Sequence, residues 1–187
     1  MITHIDKGFD FLGWTFQKYK GKLIVKPSKS SIKTLIRKCS TIILKEMKAE
    51  TQSELIRRLN QIIRGWTNYH KHVVASDVFS YINNTLYILL QRWAKHRHPN
   101  KNSWWRLNRY WHEKNGKRWL FTTYEYSLIN LRRIQIVRHP KLQISKNPFI
   151  HKEYFEHRKL LLKLLSAARN GEEMLEPYEL ETLTYGS

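Results

Sequence analysis

Hydrophobic positions recur every three or four residues along much of this chain, the period of helices that bury one face. Ile32, Leu35, Ile36, Cys39, Ile43 and Met47 form a first stripe, with Lys33, Arg37, Lys38, Lys45 and Lys48 off it. Leu55, Leu59, Ile62, Trp66 and Tyr69 form a second. Phe79, Ile82, Leu86, Leu89 or Leu90, and Trp93 form a third. Polar signals delimit the stripes. Pro27-Ser28 opens the first helix, Thr51-Gln52-Ser53-Glu54 has the capping-box pattern that starts the second, and Ser76 can cap the third. Pro99 ends the third, because the residue before a proline avoids the helical region. Three amphipathic helices with short connections bury their stripes as a bundle.

The flanks read differently. Phe9-Asp10-Phe11-Leu12-Gly13-Trp14-Thr15-Phe16 alternates in part, Leu23-Ile24-Val25 is β-prone, and Lys20-Gly21-Lys22 between them is a hairpin turn. A lone hairpin is marginal in water, so it must pack on something else. A short fourth helix is expected from Asn102 or Ser103 to about Trp111. Asn115-Gly116 is a turn signal, and Arg118–Tyr124 and Arg133–Val137 read as strands or extended segments. Asn147-Pro148 precedes a helix containing Tyr154, Phe155, Leu160, Leu161, Leu164 and Leu165. The expected fold class is mainly α, with an N-terminal β-hairpin and a mixed α+β basic C-terminal region.

Charge changes the picture from fold to partner. Lys and Arg number 34 against 15 Asp and Glu, a net charge of +19. Residues 1–169 hold every basic residue and a balance of +24, whereas 170–187 hold none and five Glu. Such a field makes a compact chain repel itself and suits a polyanionic partner, nucleic acid before an anionic membrane surface. The aromatics agree. Arg92-Trp93, Trp105-Arg106, Arg109-Tyr110-Trp111 and Arg118-Trp119 set stacking faces beside cations, the pairing that grips single strands and RNA loops. The lone Cys39 excludes an internal disulfide and any zinc site built on paired cysteines. No apolar run reaches transmembrane length, and a cytoplasmic or organellar protein without signal peptide is expected.

Catalytic patterns are missing. The seven glycines are scattered, so no phosphate loop forms. Asp6 and Asp10 have poor geometry for sharing a metal, and Asp77 stands alone. His70 with His72, and His96 with His98, are spaced by two and face apart on a helix. The histidines are expected to add donors to a basic surface and to tighten binding on mild acidification. No cofactor or metal is expected. Arg64-Gly65-Trp66-Thr67-Asn68-Tyr69-His70 combines phosphate-pairing charge, stacking faces and directional donors. Arg92-Trp93-Ala94-Lys95-His96-Arg97-His98-Pro99-Asn100-Lys101 is the densest basic cluster, followed by Trp104-Trp105.

These two blocks, preceded by Gly8-Phe9-Asp10-Phe11-Leu12-Gly13-Trp14, resemble successive blocks of group II intron-encoded reverse transcriptase/maturases. Asn147-Pro148-Phe149 and Glu153–Arg158 resemble the lead-in to that family's DNA-binding and HNH endonuclease region. The resemblance covers roughly residues 7–160. It implies a palm remnant over 1–27, the maturase-specific domain X or thumb, a three-helix bundle, over 28–112, a partial DNA-binding region over 113–169, and an acidic tail over 170–187. It further implies an RNA-binding surface at Arg64, Trp66, Asn68, Tyr69, His70, Lys71, Arg92, Lys95, Arg97, His98, Lys101, Arg106 and Arg109. Trp66, Tyr69 and Trp93 also lie on the apolar stripes and are expected partly buried. The implied partner is group II intron RNA, with a DNA target and a separate reverse transcriptase core as further partners. The catalytic Tyr-x-Asp-Asp turn and the zinc-binding cysteine pairs of the family are not in the sequence, so no polymerase or nuclease activity is expected of the chain alone. A thumb subunit acting in trans, or a non-functional remnant, stays open beside the RNA-binding reading.

Overall fold

Two tight turns build the N-terminal sheet. In the computed structural model, which describes residues 4–114, 117–137 and 145–170, β1 (Phe9–Phe11), β2 (Trp14–Tyr19) and β3 (Lys22–Pro27) form an antiparallel meander. Leu12-Gly13 and Lys20-Gly21 are two-residue loops in which all four φ angles are positive. That is the primed-turn geometry whose twist matches paired strands, and glycine adopts it without a Cβ clash. The sequence predicts the second turn; the first adds a third strand, with Phe9 stacked on Phe16 at 5.4 Å.

The fold is otherwise mainly helical. Helix α1 (Lys29–Thr41) starts at Ser28, whose hydroxyl accepts from the Ser31 N–H at 3.2 Å, and continues into a π-helical turn at Ile42–Glu46. Helix α2 (Gln52–His70) is capped by Thr51, whose Oγ1 accepts from the Glu54 N–H at 3.3 Å. Thr51→Ala is expected to lower stability by about 1 kcal/mol in urea unfolding, because one first-turn N–H loses its partner. Helix α3 (Ser76–Arg97) begins without a side-chain cap. Ser76 is its first residue rather than its cap, because the connection from α2 is held instead by the Val74 N–H donating to the Val25 carbonyl at 3.0 Å. Helix α4 (Ser103–Tyr110) is capped by Asn102 as the pattern predicts.

The stripes on α1 and α3 face the core, with Leu35, Cys39, Phe79, Ile82, Leu86, Leu89, Leu90 and Trp93 all buried. Burial pushes the Cys39 thiol up to about 11, with Lys38 opposing the shift. Helix α2 follows the expected stripe at Leu55 and Leu59 and keeps Ile62 and Trp66 half-buried against the core, but its last turns bury the neighbouring positions more deeply. Its buried residues are Leu55, Ile56, Leu59, Ile63, Thr67 and His70, while Tyr69 is exposed. Pattern reading points apolar side chains inward. Here Thr67 can be buried because its hydroxyl donates to the Ile63 carbonyl at 2.8 Å, and His70 because both ring nitrogens are bonded.

After α4 the chain returns to the bundle through β4 (Trp111–Lys114) and β5 (Lys117–Phe121), an antiparallel pair with a register shift between His112 and Lys114. Trp111, Phe121 and Leu131 join the core. Amides on the helices hold this segment. Asn60 donates to the Ser127 carbonyl at 2.8 Å and accepts from the Ile129 N–H at 2.9 Å, and Asn83 accepts from the Leu131 N–H at 3.2 Å. The expected extended segment begins one residue late: Arg133 closes a 3₁₀ turn at Leu131–Arg133, residues 134–137 form no strand, and the Val137 N–H donates to the Lys71 carbonyl at 2.8 Å. A second unit, within residues 139–187, contains helix α5 (Lys152–Asn170), with Tyr154 edge-on to Phe155. The Asn115-Gly116 turn and the acidic residues beyond Asn170 lie outside the described residues.

Candidate nucleic-acid interface

The C-terminal turns of α2 bring the Arg64–His70 block against the N-terminal sheet. Trp14 of β2 stacks on Tyr69 at 4.8 Å, and the Tyr69 hydroxyl donates to the Leu12 carbonyl at 2.7 Å. His70, 1% exposed, joins three elements. The Trp14 indole N–H donates to its Nδ1 at 2.9 Å, so the neutral ring carries its proton on Nε2 and donates that to Ser31 Oγ at 3.1 Å. Ser31 Oγ also accepts from the Trp66 indole N–H at 3.0 Å. Burial lowers the His70 pKa to about 4. Enclosed, bonded and neutral, His70 cannot serve as a surface donor to a polyanion, which corrects the expectation for this residue. Trp66 is half-buried beside it, and Arg64, Asn68 and Tyr69 remain exposed. Lys71 is partly exposed and donates to Asn68 Oδ1 at 2.9 Å.

The second block assembles where α3 ends. Trp93 is not a contact residue: it is 1% exposed, and its indole N–H donates to the Met47 carbonyl at 3.1 Å. Arg97 lies over the Trp93 ring, 4.9 Å from its centroid, and donates to the Glu50 carbonyl at 2.6 Å. His98 is within 2.7 Å of the Tyr110 hydroxyl and edge-on to Trp105 at 4.8 Å. Lys101 covers the Trp105 ring at 5.4 Å, and Arg106 folds back to donate to the Lys101 carbonyl. Arg92, Lys95 and Arg109 are exposed.

Four cations therefore surround one imidazole. Desolvation, then Arg97, Arg109, Lys101 and Arg106 in that order, hold the His98 pKa below its ordinary value. Like charges so crowded attract an anion strongly. The depressed His98, like His70, does not supply the acid-triggered charge expected of the histidines. The two blocks do not form one site. Helices α2 and α3 run antiparallel, shown by Trp66 against Phe79 near one end and Arg97 on Glu50 at the other. The blocks are thus separated along the hairpin by roughly 25–30 Å at 1.5 Å per residue.

Sequence reasoning missed Ser31 and Trp14, whose partnership with His70 spans 39 and 56 residues and leaves no local signal. It also missed Asn60 and Asn83, polar residues on otherwise ordinary helix faces. Among the described residues, no group of three His, Cys, Asp or Glu side chains is placed to hold a metal ion, and no helix is long and apolar enough to cross a membrane. No curated protein matches the chain. Residues 32–111, from the first turn of α1 to the start of β4, match the family described as group II intron, maturase-specific domain.

Proposed function

We propose that the chain binds group II intron RNA and assists its splicing and mobility, with no polymerase or nuclease chemistry of its own. The observation that carries this reading is the cluster of Arg97, Lys101, Arg106 and Arg109 around His98, inside the residues that match the maturase-specific domain. Arg92 and Lys95 extend it along α3, and Arg64, Asn68, Tyr69 and Lys71 form a second contact patch beside the sheet. Guanidinium and ammonium groups hold phosphates, while exposed aromatics take unpaired bases. Six to ten phosphate contacts predict a fall of about 10³–10⁵ in affinity between 50 and 200 mM salt. The test is a filter-binding titration of intron RNA and an unrelated duplex across that range. Affinity that ignores salt, or shows no preference for the intron, contradicts the reading.

A second reading has its own observation. Phe9, Phe11, Leu12 and Leu23 on the N-terminal sheet are 42–67% exposed, an apolar surface of the kind that covers a partner. It fits a thumb supplied in trans to a separate reverse transcriptase core, with target DNA as a further ligand of the assembled enzyme. Co-expression with such a core should yield a complex that Phe11→Asp disrupts.

A further inference from the structure

Two cavities, of about 630 and 370 Å³, share His112 and Glu113 of β4 as a common wall. Arg97 and Arg109 line the larger, and Asn108, Trp111 and Trp119 line the smaller. Trp104, one helical turn before Asn108 on α4, places its ring 6.1 Å from that of Trp119. Trp119 has φ +57°, a left-handed backbone that a bulky side chain adopts only under constraint. Burial does not explain it, because the Trp119 side chain is 50% exposed and Trp104 62%. Backbone strain that leaves a large aromatic in solvent is the kind found at binding sites.

We propose that this is a site for one unpaired nucleotide of the bound RNA: its base stacks on Trp119 and Trp104 over the smaller cavity, and its phosphate meets Arg97 and Arg109. The proposal rests on the RNA-binding reading and adds a residue-level site at the C-terminal edge of the matched residues, completed by Trp119 beyond them. The chemistry selects this ligand. Two tryptophans offer stacking faces to any base, and the Asn108 amide can pair with a base edge. Guanidiniums and a net charge of +19 favour an anion over an apolar protein segment. The Glu113 carboxylate disfavours bare phosphate and favours a ligand that also carries amino or hydroxyl donors.

Trp119→Gly gives an unusually clean test. It deletes the ring while installing the residue for which a positive φ costs least, so stability should hold or rise. The probes are an RNA hairpin with a single 2-aminopurine in its loop and a fully paired duplex of the same stem. The native chain should quench the 2-aminopurine on binding. Trp119→Gly should bind the hairpin about tenfold more weakly, bind the duplex within twofold of the native chain, and melt no earlier. Trp119→Phe should restore most of the hairpin affinity. Unchanged hairpin affinity in Trp119→Gly, or an equal loss on hairpin and duplex, overturns the nucleotide site while leaving RNA binding intact. A native chain that binds neither RNA at low salt overturns the RNA-binding reading as well.

Discussion

Replacing His70 with alanine should cost about 3–5 kcal/mol of stability, among the largest effects of any single substitution in this chain. The side chain is fully enclosed, so its removal leaves a cavity, with a cost in the range of other large-to-small core changes. It also strands the Trp14 indole N–H, now bonded at 2.9 Å, and takes one donor from Ser31 Oγ. An unsatisfied buried donor adds about 1–3 kcal/mol. The protonation equilibrium supplies an independent signature. Folding lowers the His70 pKa from 6.5 to about 4, so as pH falls the unfolded chain takes up the proton first. The stabilisation is complete above pH 6.5 and is lost progressively toward pH 4, by up to about 3 kcal/mol. His70→Gln, which cannot protonate, should be less stable at pH 7.5 but should lose less stability than the native chain on going to pH 4.5. Urea melts followed by tryptophan fluorescence at several pH values measure both. Parallel pH profiles for the two proteins would remove His70 from its assigned place.

Helix positions were legible because their signals are local. Ser28, Thr51 and Asn102 each cap within three residues of themselves, and the α1 and α3 stripes need only the 3.6-residue period. The face of α2 was legible at Leu55 and Leu59 but not in its last turns, where two polar residues, Thr67 and His70, are buried. Thr67 bonds its own helix, but His70 needs Trp14 and Ser31, which reach it only after the sheet has docked. The same limit applies to the interface. The sequence marks Arg92–Lys101 as basic, yet the crowding around His98 comes from α4 turning Arg106 and Arg109 back toward the end of α3. It marks Arg64–His70 as one motif, and the structure divides that motif by angle. Arg64 and Asn68 face out, Thr67 is buried against its own helix, and Tyr69 and His70 hold the sheet. A single heptad thus contains both an outward patch and the joint behind it.

Substituting Arg92, Lys95 and Arg109 together by glutamine should weaken intron RNA binding on the order of 100-fold at 0.1 M salt. These three are exposed, whereas Arg97 and Arg106 also satisfy backbone carbonyls, so their removal would confound binding with folding. Each lost phosphate contact should make the slope of log affinity against log salt shallower by about 0.7–0.9. The triple variant should therefore lose about 2–3 from the slope. Its melting temperature should stay level or rise, because relieving repulsion among like charges favours the compact state. Arg64→Gln with Lys71→Gln provides the comparison at the other end of the α2–α3 hairpin. Both sets are too far apart to couple directly, so their free-energy effects should add if one RNA spans the two patches. A five-residue variant no weaker than the triple variant would confine the RNA to the α3–α4 end. A triple variant with the native slope would remove Arg92, Lys95 and Arg109 from the contact surface.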